Sequence, residues 1–306
     1  MTARMAFIGV TTGQSSIMRV FPVWARLLGL DAELTGVDLP LDAAPDVYRR
    51  ALVRLRDDPS CAGALVTTHK IAVFEAARDL FDELDDFAST CGEISSIAFR
   101  DGDGGRRHVR GAAKDPVTAG LALEEVLAPD HFRSGGQVLC LGAGGAGTAI
   151  AWYLSGRADL TGPMTFVDVA PERLDHLRAV VRGHAPDTEV RTLLAQEVDL
   201  AALLDQMPPR SLVVNATGLG KDRPGSPLPD GAVLPPRSVV WELNYRGSLE
   251  FLEQARAQET ERDLTVVDGW RYFIHGWTQV IADVFGLDMT PGTVRRLSEA
   301  AREVTS

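Results

Sequence analysis

The sequence predicts an α/β protein of two domains, each built from strands that alternate with helices. Three observations predict it. The chain has 306 residues, and at roughly 100–200 residues per domain two domains are the natural division. Short apolar runs bounded by turn residues alternate with segments of helical spacing along most of the chain. A glycine-rich turn near the middle joins one such run to one such helix, as in a doubly wound parallel sheet.

Taken in order, "MAFIGV" reads as a short buried strand, and a helix carrying Phe21, Trp24 and Leu28 follows it. Pro22 lies in that segment, so the helix either starts near it or kinks there. "AELTGVDLP" is a second strand, and Pro45 to Arg56 is a helix with Val47, Tyr48, Ala51, Leu52 and Leu55 on one stripe. "AGALVTT" is a third strand, leading into a helix with Ile71, Phe74, Ala77 and Leu80. "EISSIAF" and "HVRGAA" flank the turn "DGDGG" and read as a hairpin. A second domain opens with a helix after Pro116 and continues through "QVLCL", "MTFVDV", "LVVNATG" and "SVVWELNY" as strands. The polar, Pro-rich stretch after "NATGL" is a long loop. "WRYFIHGWTQVIADVFG" has helical spacing, and a closing helix starts near Pro291 with Thr290 as its cap. The predicted boundaries are residues 1–117 for an N-terminal α/β domain and 118–265 for a doubly wound domain. Residues 266–306 form helices that return to the first domain.

Hydrophobic residues are 45% of the chain and charged residues 24%, enough for a core in each domain and too apolar for disorder. The net charge of −11 argues against nonspecific binding to nucleic acid or an anionic membrane. A local cationic pocket can still take a small anionic substrate. Cys61, Cys91 and Cys140 are odd in number and lack C-x-x-C spacing, which suggests reduced core thiols in a cytoplasmic protein. "MAFIGV" is too short for the apolar segment of a secretory signal, and no apolar run reaches the ~20 residues of a membrane span. No His/Cys cluster suggests a metal, and no nucleophile motif such as G-x-S-x-G is present. Monomer and homodimer are both compatible with the sequence.

Gly142-Ala143-Gly144-Gly145-Ala146-Gly147 follows "QVLCL" and opens a helix. The first glycine allows a tight turn, the second lets backbone N–H groups approach a pyrophosphate, and the last lets the helix pack against the strand. The pyrophosphate then sits at the positive end of the helix. Asp168 ends the next strand, 21 residues after Gly147. An acidic side chain there accepts hydrogen bonds from the adenosine ribose and repels a 2′-phosphate. Val169 and Ala170 follow it, and Arg173 comes one helical turn later, so the sequence favours NAD over NADP without excluding NADP. These features define a Rossmann dinucleotide-binding domain.

With these pieces in order, the chain resembles the shikimate/quinate dehydrogenase family. The resemblance spans nearly its whole length and rests on the first strand ending at Gly9 with Ser15 and Ser16 after it. "LVTTHK", "RGAAKDPVTAG", "GAGGAGTA", "NATGLG", "ELNYRG" and "VDGWRYFIHGW" complete it. It implies an N-terminal domain that binds a cyclic hydroxy carboxylate and a Rossmann domain that brings a nicotinamide to it. The motif match places the family's reacting pair at Lys70 and Asp115, the lysine relaying the hydroxyl proton and the aspartate orienting the amine. It places Asn215, Thr217 and Gly218 beside the nicotinamide. On the substrate side it places Ser15, Ser16, Thr67, Ser95 and Tyr245, and His275 on the penultimate helix is a further candidate to face the cleft.

The pattern breaks on the substrate side. Ile17 stands at the second serine of the family's Ser-x-Ser-Pro, Leu65 at the asparagine before "VT", Ala113 at the asparagine of "GxNTD", Ser95 at a further asparagine and Gly276 at the helix glutamine. The "VTTHK" segment is one residue short and lacks the usual proline. Each lost contact costs about 1–3 kcal/mol, so either the substrate differs or His69, Ser96, His275 and Trp277 take over. His69 is an alternative acid–base group or a polar surface histidine, and Arg19 is a candidate carboxylate partner. Two other functions remain open. One is an enzyme resembling methylene-tetrahydrofolate dehydrogenase. The other is a noncatalytic NAD-binding sensor or interaction protein on the same fold.

Overall fold

The computed structural model describes residues 2–221 and 223–305. The chain divides into two units, Met1–Lys114 with Ile274–Ser306, and Asp115–Phe273.

The first unit opens with β1 (Ala3–Gly9), α1 (Ile17–Leu28), β2 (Ala32–Asp38), α2 (Pro45–Arg56), β3 (Cys61–Val66) and α3 (Lys70–Ala77). It continues with β4 (Glu83–Leu84), α4 (Asp86–Cys91), β5 (Ser96–Asp101) and β6 (Arg107–Ala112). The sheet runs β2-β1-β3-β5-β6-β4. The first three strands are parallel, and the β5–β6 hairpin is antiparallel to β3 and within itself. Helix α1 runs through Pro22. The proline forfeits one backbone bond, but Ile17, Val20, Phe21, Trp24 and Ala25 form a continuous buried stripe that holds the helix in place. Sequence periodicity did not announce β4 and α4, because two- and six-residue elements are too short to carry one. Helix α4 is fixed instead by a cap, with Ala88 N donating to Asp85 Oδ1 at 2.8 Å.

The second unit comprises α5 (Asp115–Glu124), β7 (Val138–Leu141), α6 (Gly145–Ser155), β8 (Met164–Asp168), α7 (Pro171–His184) and β9 (Val190–Leu194). After these come α8 (Leu200–Asp205), β10 (Leu212–Asn215), β11 (Val239–Glu242), α9 (Glu250–Arg256), α10 (Glu259–Arg262) and β12 (Thr265–Val267). Its sheet runs β12-β11-β10-β7-β8-β9, with every pair parallel. That is the Rossmann order, with the topological switch between β7 and β10. Both faces are covered: Cys140, Ile150, Phe166, Leu177 and Trp241 pack on one side, and Leu139, Leu141, Val213, Val240 and Phe251 on the other. Double-sided burial explains why these strands read as unbroken apolar runs.

Helices α11 (Trp270–Phe285) and α12 (Pro291–Thr305) end the chain, and from Ile274 onward they belong to the first unit. Trp277 packs edge-on against Phe7, with ring centroids 5.0 Å apart. The Asp283 carboxylate accepts from Ser96 Oγ at 2.6 Å and pairs with Arg110. Trp24 Nε1 donates to Leu297 O at 2.7 Å. Thr290 caps α12, its hydroxyl oxygen accepting from Thr293 N at 3.2 Å. The C-terminal helices thus return to the first domain, as the sequence predicts. Among the described residues no helix is long and apolar enough to cross a membrane.

Candidate active site: a glycine turn and a lysine turn

In the second unit, three glycines of the β7–α6 turn show separate causes. Gly142 has φ +108, and a Cβ there would meet the Ala216 carbonyl at 2.6 Å. The β7 and β10 turns therefore touch at the switch point, where α/β sheets of this kind take their ligands. A Cβ on Gly147 would meet Gly142 O at 2.2 Å, so α6 starts hard against the turn. Gly144 meets nothing within 4 Å. Its lack of a side chain serves no protein packing, which fits a backbone left bare for close approach by a diphosphate. Ala143 is buried while Gly145 is exposed and Ala146 half-buried, so the start of α6 faces outward. Replacing Gly147 with alanine is expected to cost about 1–3 kcal/mol by overpacking, read as a lower unfolding midpoint. A variant as stable as wild type would show that the strand–helix join has slack.

Asp168 is 7% exposed. Its Oδ2 accepts from Ala143 N at 2.7 Å and its Oδ1 from Ala170 N at 3.0 Å, with Arg173 Nη1 3.8 Å away. It therefore holds the glycine turn. A carboxylate offers about four lone-pair sites, so these two bonds leave capacity for ribose hydroxyls. Val169, next in the chain, is 71% exposed.

The β10 turn is a closed network. Asn215 Oδ1 accepts from Thr217 N at 3.1 Å and Thr217 Oγ1 at 2.7 Å, and Thr217 Oγ1 accepts from Leu219 N at 3.1 Å. Asn215 Nδ2 donates to Glu242 Oε2 at 2.7 Å, and Asn244 N donates to Glu242 Oε1 at 2.8 Å. Gly218 supplies the left-handed residue, at φ +75. The side chain of Asn215 is thus committed to shaping the turn. Glu242 had escaped sequence reasoning. It is fully buried, and burial pushes its carboxyl up to about 7, against the opposing pull of the hydrogen bonds from Asn244 and Asn215. Tyr245 packs with Phe273 at 4.4 Å and Trp270 at 6.1 Å between ring centroids. A separate groove of about 940 Å³, walled by Trp152, Tyr153, Arg157 and His184, includes no residue of the glycine turn.

In the first unit, Ser15 and Ser16 end a short turn before α1, both half-buried, while Ile17 faces the core. Thr12 anchors this turn: its N and Oγ1 both donate to Asp38 Oδ1, at 2.8 and 2.6 Å, and hold that carboxyl below its usual range. Thr67 is neighbour to the same turn, since a Cβ on Gly9 would meet Thr12 and Thr67 methyls alike at 3.0 Å. Lys70 is the first residue of α3. Two distant motifs meet at Ile94-Ser95. Ile94 N donates to Lys70 O at 3.2 Å, and Ser95 Oγ accepts from Lys114 N, the residue before Asp115, at 2.7 Å. Asp115 opens α5.

The residues expected to replace lost substrate contacts are mostly engaged elsewhere. Ser96 is spent on Asp283, Trp277 on Phe7, and His275 is buried on α11. Arg19 is exposed. His69, read from sequence as a reactive or surface group, is buried, with both ring nitrogens facing protein atoms.

No protein-family profile matches the chain. Individual relatives do. It is 30% identical over 260 residues to a protein of Xanthomonas euvesicatoria named shikimate dehydrogenase (NADP(+)), covering 84% of this chain and 82% of that one. A namesake from Acidiphilium cryptum is 31% identical over 289 residues, covering 93% and 91%. Among solved structures, quinate dehydrogenase of Corynebacterium glutamicum in complex with NAD superposes with a TM-score of 0.75 at 20% identity, covering 99% of each chain. Shikimate 5-dehydrogenase of Thermus thermophilus in complex with NADP(H) and shikimate does so at 0.71 and 25%, again over 99% of each. The glycine turn at the switch point, the ordered motifs and this near full-length likeness lead to one assignment: the chain belongs to the shikimate/quinate dehydrogenase family of nicotinamide-dependent oxidoreductases.

Proposed function

We propose that this protein interconverts the secondary alcohol and ketone of a cyclic hydroxy carboxylate such as shikimate, quinate or a close relative, using NAD in preference to NADP. The observation that carries the reading is where the sequence departs from the family pattern. Ile17, Leu65, Ala113 and Gly276 replace polar substrate contacts, whereas Lys70, Asp115 and the glycine turn remain. Retained chemistry with an altered, less polar pocket points to a changed ring substituent rather than a changed reaction. The nicotinamide, when bound, exchanges the hydride with the carbinol carbon. Lys70 Nζ takes the hydroxyl proton in the oxidation direction and returns it in the reduction, and the Asp115 carboxylate orients the amine. Ser15, Ser16 and Thr67 are the groups proposed to meet the substrate carboxylate and hydroxyls. Tyr245 and His275 belong to the same proposed set.

The NAD preference rests on Asp168 and on the absence of a cation at Val169 and Ala170. Several relatives carry NADP in their names, so the expected preference is a departure from them. Thermal stability with each nucleotide, and nicotinamide absorbance with a panel of hydroxy acids, test both parts. NAD at a hundred times its Kd adds about 2.7 kcal/mol, and NADP at the same concentration is expected to add less. The reverse order would overturn the cofactor assignment. Nucleotide binding without turnover of any acid would favour a sensor.

A further inference from the structure

The five residues from Val66 to Lys70 cross from β3 to α3 in a turn the backbone does not favour. Thr68 sits at φ +40, a left-handed conformation that is an outlier for a β-branched side chain. His69 N–H points back to Thr67 O across this turn, closing a tight i to i+2 loop. A strained turn persists only where its surroundings overdetermine it. Backbone bonds from Thr67 N to Ile8 O and from Ile94 N to Lys70 O hold its two ends, and the side chain that holds its middle is His69. The His69 ring is 3% exposed. Its Nε2 lies 3.1 Å from Leu39 O. A carbonyl can only accept, so Nε2 carries the hydrogen. Its Nδ1 lies 3.2 Å from the hydroxyl of Tyr48, itself buried on α2. The backbone of His69 is equally committed, its carbonyl accepting from Val73 N at 2.9 Å to start α3. The residue that follows is Lys70.

Lysine at that position is itself informative. Of the chain's 31 basic residues only three are lysines, Lys70, Lys114 and Lys221. Arginine cannot release its proton in a protein and lysine can. A chain that relies mostly on arginine has an amine at this position, next to a histidine held at both ring nitrogens.

We propose that His69 is a positioning residue: its buried ring clamps the strained β3–α3 turn to α2 and to the segment after β2, and so aims the Lys70 amine. The inference rests on the reading of Lys70 as the proton acceptor. It assigns His69 no proton transfer of its own, because both ring nitrogens face protein groups.

The test uses the full chain labelled with ¹³C-lysine, whose three side-chain signals are assigned with Lys70→Arg, Lys114→Arg and Lys221→Arg. In His69→Leu the Lys70 signal is expected to shift and sharpen while the Lys114 and Lys221 signals stay in place. With NAD and shikimate or quinate, kcat should fall about 10²-fold at unchanged NAD affinity. His69→Gln keeps a donor that reaches Leu39 O and should restore both the signal and most of kcat. Tyr48→Phe should fall between them. A Lys70 signal in His69→Leu that superimposes on wild type would overturn the proposal, as would a glutamine variant no better than leucine. If His69→Leu does not fold, His69→Asn, too short to reach Leu39, replaces it in the same ranking. Failure of the wild type to turn over any acid of the hydroxy-acid panel would defeat the proposed function, and the lysine signals would still decide the role of His69.

Discussion

Lys70→Ala is expected to lower kcat about 10²–10⁴-fold, the range removed when a positioned acid–base group is lost, and to leave NAD affinity where it was. The two effects separate because Lys70 lies in the first unit and the glycine turn in the second. A drop in both together would mean a general loss of folding. Lys70→Arg sharpens the test. It preserves the positive charge but cannot give up a proton at any accessible pH, so it should be nearly as inactive as alanine if the amine accepts the proton. If charge alone were needed to hold the substrate carboxylate, arginine would retain most of the activity. Steady-state kinetics with NAD and shikimate or quinate, beside thermal stabilisation by NAD, measures both quantities. Alanine and arginine variants both close to wild type would remove Lys70 from the reaction.

Stability is expected to fall as pH rises from about 4.5 to about 7 through Glu242, by about 3 kcal/mol. The sign follows from the direction of the shift. The carboxyl has an ordinary value of 4.5 and is raised to about 7 in the fold, so between those values the folded chain holds a proton that the unfolded chain has released. Stability is then fully present below pH 4.5, declines through the window, and is flat above it with respect to this group. Other carboxylates contribute their own slopes, so the quantity to measure is the difference between wild type and Glu242→Gln, by denaturant unfolding across the window. That difference should tilt by about 3 kcal/mol toward the variant as pH rises. A pH-independent difference would show that water or a local rearrangement solvates the charged carboxylate. Because the same carboxylate orients Asn215 and through it Thr217, NAD affinity of the wild type should change across the same window.

The sequence carried the long elements and left the short ones hidden, for a physical reason. Strands such as β7 and β10 announced themselves because burial on both faces demands an unbroken apolar run, and α2 because its buried face repeats at helical spacing. The edge strands β9 and β12 are half-buried or exposed along their length and leave no such trace. The glycine turn was legible because its backbone geometry admits few residues. What could not be read was where polar side chains spend their hydrogen bonds. "NATGLG" marks a turn, but Asn215 is bound to a glutamate 27 residues later. His69 looked like a surface group because Tyr48, its partner, stands 21 residues before it. Pairings of that kind depend on the tertiary fold, and single-chain spacing does not encode them.

The buried bond from Trp24 to Leu297 joins residues 273 positions apart, and it bears on how the molecule is made. On a ribosome the first helix emerges early, yet the carbonyl that accepts from Trp24 arrives only 273 residues later. The intervening Asp115–Phe273 segment is contiguous and can finish folding during synthesis. The opening segment must wait with the Trp24 indole N–H unpaired by Leu297. A chain stopped before α12 should therefore yield a nascent product that engages chaperones, while a fragment limited to Asp115–Phe273 should be released in native form.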